Sequence, residues 1–323
     1  MWNRARLSIL AAVKRIAADV VLIAGPTASG KSAAALALAE EIGGSIINAD
    51  SMQVYAEPRI LTARPSEEDV RRVPHRLYGH VSVREAYSVG RYQAEGTQAL
   101  REVRALGRMP VFTGGTGMYF GVLTEGIADI PAVPQSVRAR IEQRRRDIGA
   151  EAFHAELAAR DPESAGRLRP SDTQRTLRAY EVFEATGQPL SRWQKEMGRP
   201  VLAGLTLARF VIAPPRDELY ARVDARFDSM VELGAVEEAV RIAALSPAPS
   251  AAKILGLREL AAAHRSETSL EEAKAAAKTA SRQYAKRQLT WFRNRMGDWT
   301  WIEATNSVEI ADKMLATIRF VGK

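Results

Sequence analysis

Cysteine is absent from all 323 residues, which rules out disulfides, thiolate zinc sites and cysteine nucleophiles together and fits a reducing compartment. Long apolar runs are lacking as well. No stretch reaches the roughly 18 uninterrupted apolar residues that a membrane-spanning helix requires, so the expectation is a soluble, cytoplasmic protein with no membrane partner. Acid is missing from the first segment: residues 1–18 carry Arg4, Arg6, Lys14 and Arg15 and no carboxylate. That composition suits a transit peptide or a surface helix, while the long apolar run and small-residue cleavage site of a secretory signal are not there. We read residues 1–18 as a dispensable N-terminal extension.

The chain holds 46% hydrophobic and 26% charged residues, an ordinary folded composition and enough length for one large domain or two modest ones. Lys and Arg exceed Asp and Glu by 46 to 38, a formal charge of +8. Such a balance favours a polyanionic partner, although solubility accounts for it equally well.

Val20 to Ala24 reads as a strand, Gly25 to Ser32 as a loop, and the Ala- and Leu-rich run to Ile42 as a helix. Ser45 to Asp50 predicts a second strand ending at an acid, and Met109 to Thr113 a third, with a helix over Glu85 to Leu106 between them. Alternation of this kind predicts an α/β fold with a parallel sheet. From about Ala128 to Ala203 the pattern turns proline-punctuated, basic and helical, which predicts a mainly helical insertion over residues 128–203. A strand pattern returns at Leu205 to Ile212. Three helical segments follow, Asp217 to Ala244, Ala251 to His264 and Ser269 to Arg295, then a short strand at Trp299 to Glu303 and a last helix. The domains so read are 19–127 with 204–323, a core with helical C-terminal region, and the insertion.

Gly25-Pro26-Thr27-Ala28-Ser29-Gly30-Lys31-Ser32 satisfies G-x-x-x-x-G-K-[ST] at every fixed position and lies between a strand and a helix, the context in which the pattern cradles phosphate. Backbone N–H groups and the helix N-terminus face the anion. Lys31 neutralises the outer phosphate, and Ser32 is placed to hold a Mg²⁺ that bridges phosphate oxygens. Such a loop also serves nucleoside triphosphatases and kinases, so it does not by itself name the ligand. Asp50, at a strand end where a parallel sheet binds ligands, is open to three readings: a helix cap, a magnesium ligand, or a general base.

Read with Asn48 to Tyr55, Val73 to Leu77, Gly114 to Tyr119 and Ser281 to Arg293, the phosphate loop closely resembles the bacterial tRNA dimethylallyltransferase family, also called isopentenylpyrophosphate tRNA transferase. The resemblance runs from about Asp19 to Arg295. It departs at Arg76, where many relatives have a second His, and at Ile254 to Arg258, where the centre is more usually Ile-Gly-Tyr. Neither departure touches the catalytic positions, and the second bears on an RNA contact.

The resemblance implies a P-loop fold that holds dimethylallyl diphosphate with Mg²⁺, a helical insertion that grips the anticodon stem-loop, and a product, N6-dimethylallyladenosine, at the base 3′ of the anticodon. It makes Asp50 the general base and puts Arg222 or Arg226 near the diphosphate, with Arg222 preferred. Thr27 hydrogen-bonds the diphosphate or aligns the amine. Thr116, Arg138 and the stretch Gln174, Arg175, Thr176, Leu177, Arg178 become tRNA contacts, as do Lys253 and Arg258. Asp50, Ser51, Met52 and Gln53 are placed for the extruded adenosine, Gln53 against a base edge. Cations on the last long helix, Arg282, Lys286 and Arg287, suit phosphates, while Trp291 and Phe292 fit either the core or unstacked bases. A monomer is expected. Three rivals remain: a free-nucleotide prenyltransferase, which needs neither the insertion nor the basic C-terminal segment; a small-molecule P-loop kinase; and a non-catalytic RNA-binding module, which leaves the loop and Asp50 unused.

Overall fold

A computed structural model describes residues 17–319. Most of the N-terminal extension, residues 1–16, lies outside the described residues. Two compact units emerge, one running up to Phe120 and resuming at Gly204, the other Gly121–Ala203.

The first unit begins with β1 (Val20–Ala24), α1 (Lys31–Glu41) and β2 (Gly44–Asn48), followed by α2 (Glu67–Arg72), β3 (His75–Arg76), α3 (Val89–Ala105) and β4 (Met109–Gly114). Helix α4 (Gly117–Thr124) leads into the second unit. That unit holds α5 (Gln135–Arg160), α6 (Pro162–Arg167), α7 (Thr173–Thr186) and α8 (Leu190–Trp193). The chain then returns through β5 (Leu207–Ile212), α9 (Arg216–Glu232), α10 (Ala235–Ala244), a short 3-10 turn, α11 (Leu257–His264), α12 (Leu270–Arg295), β6 (Thr300–Ile302) and α13 (Ser307–Arg319).

Among the described residues the strands lie in the order β3-β2-β4-β1-β5-β6, every pairing parallel. Central strands of such a sheet are covered on both faces, so they read as unbroken apolar runs and not as alternation; all five residues of β1 are buried. Val21, Ile23, Val111 and Phe210 pack with Ala34, Ala35 and Leu38 of α1 and with Ile310 and Met314 of α13. The alanines of α1 let its backbone approach the sheet closely. In α3, Tyr92, Gly96, Ala99, Leu100 and Val103 are buried on one helical face. No helix among the described residues is long and apolar enough to cross a membrane.

Several boundaries differ from the sequence reading for local reasons. Strand β2 stops at Asn48, so Asp50 stands just beyond it. Ser88, whose hydroxyl accepts the Arg91 N–H, starts α3 later than Glu85. The helix expected over Asp217 to Ala244 is two, parted at Gly234 with φ of 96°. Gly256, with φ of 81°, likewise parts the next segment, because only glycine adopts this backbone without strain. Strand β3, two residues long, is too short to leave a periodic signal.

The second unit has its own core, in which Phe153 and Tyr180 stack with ring centroids 4.7 Å apart. Asp161, 1% exposed, accepts the Ser164 N–H at 3.0 Å and the Ser191 hydroxyl at 2.6 Å, joining α6 to α8. Burial works to raise its pKa, but the hydrogen bonds from Ser191 and Ser164 outweigh it and hold the carboxyl below its ordinary value. The Ser191 N–H adds a third hydrogen bond at 3.1 Å, and Asp161→Ala is expected to destabilise this unit by about 3–6 kcal/mol, the scale of losing at least two hydrogen bonds to a charge; urea unfolding measures it.

Candidate active site

The phosphate loop joins β1 to α1 at the C-terminal edge of the sheet. Ala28 and Gly30 have φ of 63° and 88°, the left-handed conformation that turns successive N–H groups toward one centre. A Cβ on Gly25 would meet the Ile212 carbonyl oxygen at 3.0 Å and Ser29 Oγ at 2.7 Å, so a side chain there displaces the loop. Lys31 Nζ folds back to donate to the Pro26 carbonyl at 3.1 Å. Burial lowers the Lys31 pKa to about 8, although the Asp50 charge pulls it up and Arg226 pushes it further down. Residues Thr27 to Ala33 line a cavity with Asp50, Arg222 and Arg226, and the Ser32 side chain is exposed in it.

Asp50 is positioned by Asn48. The Asn48 carboxamide accepts the Asp50 N–H at 2.8 Å and donates to the Asp50 carbonyl at 2.9 Å and the Leu77 carbonyl at 3.0 Å. Asp50 Oδ1 accepts the Met52 N–H at 2.9 Å. Its Oδ2 would lie 3.1 Å from a Cβ on Gly115, and a Cβ on Gly114 would overlap the Ala49 carbonyl at 2.1 Å, so both glycines admit the Asp50 loop. Thr116 completes the seat, its hydroxyl accepting the Ser51 N–H at 2.8 Å. Tyr78, Tyr119 and Tyr284 have phenol pKa values raised by burial and further by the Asp50 charge. Two cations and three phenols thus feel one carboxylate.

Arg226 donates to the Thr27 hydroxyl, and burial lowers the pKa of its guanidinium against the pull of Asp50. Arg222 is tethered to the Thr305 carbonyl at 2.8 Å, and its Nη1 lies 3.6 Å from where a Cβ on Gly30 would sit. Both arginines therefore face the cavity, Arg226 toward Thr27 and Arg222 at the loop's glycine. Beside Thr27, Asp50 and Arg226, a pocket is walled by Leu61, Val223, Phe227, Met230 and Leu255.

Two residues that sequence reasoning passed over hold this arrangement. Gln288 of α12, 5% exposed, accepts the Thr27 N–H at 2.9 Å and donates to the Gly115 carbonyl at 2.8 Å, tying the phosphate loop to the Asp50 seat. A glutamine at helical spacing from buried Ser281, Ala285 and Phe292 was the available signal. Buried Glu238 accepts the N–H groups of Arg59, Ile60 and Leu61 at 2.7, 2.9 and 2.8 Å and fixes the pocket's loop wall.

The residues expected at RNA are dispersed. Gln53 donates to the Thr62 and Ala63 carbonyls, both at 2.9 Å, so its amide hydrogens brace that loop. Lys286 and Arg287 are exposed on α12, Lys253 in the 3-10 turn and Arg258 on α11. Arg282 donates through one nitrogen to both Asp224 oxygens, at 2.6 and 2.7 Å. In the second unit Arg138, Gln174 and Arg175 are exposed, whereas Thr176 is buried with its hydroxyl on the Asp172 carbonyl and Leu177 packs on the core. Burial lowers the Arg178 pKa, opposed by Glu181 and reinforced by Arg138.

A phosphate cradle, a carboxylate across from it and an apolar pocket alongside define a phosphate-loop enzyme whose phosphorylated substrate carries an apolar group. The model of the IPP transferase family matches residues 53–295, and that of isopentenyl transferases residues 18–86. A tRNA dimethylallyltransferase of Azorhizobium caulinodans is 53% identical over 281 residues, covering 86% of this chain and 90% of that protein. Among solved structures, the full-length tRNA isopentenylpyrophosphate transferase of Bacillus halodurans aligns with TM-score 0.65 and 33% identity over 94% of this chain and 95% of that one. A eukaryotic dimethylallyltransferase acting on tRNA aligns with TM-score 0.76 and 26% identity over 92% and 76%. The chain belongs to the IPP transferase family, that of the tRNA dimethylallyltransferases.

Proposed function

We propose that this enzyme transfers the dimethylallyl group of dimethylallyl diphosphate to N6 of the adenosine immediately 3′ of the anticodon, position 37 of tRNA, releasing diphosphate. The observation that carries this reading is that the cavity of Lys31 and the apolar pocket share Thr27, Asp50 and Arg226 in their walls. The allylic C–O bond breaks as the N6–C bond forms. Lys31, Arg222 and the loop amides stabilise the departing diphosphate, and Leu61, Phe227 and Met230 shelter the five-carbon chain from water. An exocyclic amine is a weak nucleophile that must shed a proton, and Asp50 takes it. Arg226, by holding Thr27, sets the phosphate-loop side chain that shares the cavity wall with Asp50.

Mg²⁺ suits the donor set. Hard oxygen donors are what it takes, and it usually keeps waters and binds substrate phosphates. Ser32 offers an exposed hydroxyl at the cavity, and no cluster of three or more His, Cys, Asp or Glu stands among the described residues, a composition that leaves most ligands to diphosphate and solvent. When bound there the ion adds neutralising charge. Exposed Arg138, Arg175, Arg258, Lys286 and Arg287 supply the tRNA contacts in this reading. In this reading the enzyme acts as a monomer in the cytoplasm, where its RNA substrate resides.

Incubation with dimethylallyl diphosphate, Mg²⁺ and unmodified tRNA, followed by nucleoside mass spectrometry, tests the assignment; only unmodified adenosine would refute it. The Lys31 pKa gives a second check. Below about 8 the free enzyme already carries the Lys31 charge, and above it the diphosphate must bring a proton with it. Affinity for dimethylallyl diphosphate is therefore expected to be flat on the acid side and to fall up to about tenfold per pH unit beyond. Calorimetry in buffers of different ionisation enthalpy reads the proton uptake, which Lys31→Arg should abolish.

A further inference from the structure

Beyond the active cavity, the same edge of the sheet continues to β3, and there a second cleft opens. It is lined by Arg59, Arg64, Arg71, Tyr78, Glu67 and Val70. A tight turn builds it. The Arg64 N–H closes onto the Arg59 carbonyl at 3.1 Å, with Ala63 at φ of 48° between them, and Glu238 pins the other end of the turn. The Arg64 guanidinium lies over Gly79: its Nη1 would be 1.3 Å from a Cβ there, so only glycine permits this seat. Among the described residues the guanidinium makes one hydrogen bond, a long one of 3.4 Å to the Tyr55 carbonyl. Burial lowers its pKa, Arg59 adds to that, and Glu238 and Glu57 oppose it. Arg71 sits in the last turn of α2, whose start is fixed by the Ser66 and Asp69 capping box.

Among the described residues neither Arg64 nor Arg71 makes an ion pair, and Arg59 reaches only the exposed Glu67, at 3.6 Å. Three guanidinium groups thus face one carboxylate in a concave site. Glu238 and Glu57 act on Arg64 only from a distance, and holding a half-buried guanidinium without a direct ion pair costs free energy; a ligand anion in the cleft lowers that cost. Tyr78 links the cleft to the chemistry, since its phenol feels the Asp50 charge and Asn48, which positions Asp50, also grips the Leu77 carbonyl.

We propose that this cleft binds backbone phosphate of the tRNA loop next to the adenosine presented to Asp50, with Arg64 as its central donor. A single-stranded loop that extrudes a base leaves its flanking phosphates splayed and accessible, and Arg presents the planar fork that grips them. The contact orients the extruded nucleotide and leaves the diphosphate pocket untouched.

This proposal rests on the reading of the chain as a tRNA enzyme, and the test separates the two. Dissociation constants of unmodified tRNA are measured against salt for the wild type, R64A, R64K and the exposed double variant R59A/R71A. Removing one arginine–phosphate pair should flatten the log–log salt slope by about 0.7 to 0.9. R64A should show about one such increment, R64K should largely keep the wild-type slope, and R59A/R71A, whose side chains are exposed, should also flatten it. The KM for dimethylallyl diphosphate should stay within about twofold. Wild-type binding with slopes unchanged in both R64A and R59A/R71A overturns the proposal. So does a raised KM for dimethylallyl diphosphate with tRNA binding intact, which would assign the arginines to the smaller substrate. Failure of the wild type to bind tRNA at all would instead sink the underlying reading.

Discussion

Asp50→Asn is expected to lower kcat by about 100- to 10,000-fold, the usual contribution of a general base, with the tRNA dissociation constant nearly unchanged. The geometry makes the substitution clean. An asparagine oxygen can keep the bond from the Met52 N–H, and the Asn48 carboxamide grips only the Asp50 backbone, so the loop has no reason to move. What disappears is the acceptor for the amine proton. The Asp50 charge also raises the Lys31 pKa, so the variant lowers it further and should be compared with the wild type over a pH series that extends well to the acid side of about 8. Single-turnover rates across a Mg²⁺ series decide the role. A deficit that excess Mg²⁺ repairs would make Asp50 a metal ligand and remove it as the base.

Lys31→Ala is expected to cost turnover about 100- to 1,000-fold or more, on the scale of removing one preorganised donor from a developing anion, while tRNA binding survives. Lys31 is 9% exposed and reaches into the loop to Pro26; its ammonium has no route to an RNA surface. Equilibrium binding of tRNA beside single-turnover transfer provides the measurement. Parallel loss of both in a folded variant would place Lys31 in the RNA footprint and unseat the diphosphate assignment.

The phosphate loop was legible because its chemistry is local: glycines, a lysine and a hydroxyl at fixed spacing between a strand and a helix. The strands β1 and β4 were legible from apolar runs that the parallel sheet buries on both faces, and β5 from its buried second half, Phe210 to Ile212. Residues whose work depends on distant partners were not. Gln288 meets Thr27 across 261 positions of sequence, and Glu238 meets Leu61 across 177; no window along the chain contains both ends. Arg222 and Arg226, four apart on α9, share a helix face by spacing alone, and only the tertiary fold aims one at Thr27 and ties the other to Thr305. The basic residues were visible as charge, but charge does not tell an RNA contact from an ion pair such as Arg282 with Asp224.

The sheet order also bears on how the protein is made. Strand β1 pairs on one side with β4 and on the other with β5, and β5 is translated roughly 90 residues after β4 ends, a wait of about 5–20 s at common elongation rates. Through that interval the nascent chain can assemble β3-β2-β4-β1 only, leaving the Val20–Ala24 edge with unpaired N–H and C=O groups and an apolar flank. Open edges of this kind recruit other strands. The ribosome-bound four-stranded sheet is therefore a stage at which this chain is exposed to aggregation, and Leu207–Ile212 is the segment whose arrival covers the Val20–Ala24 edge.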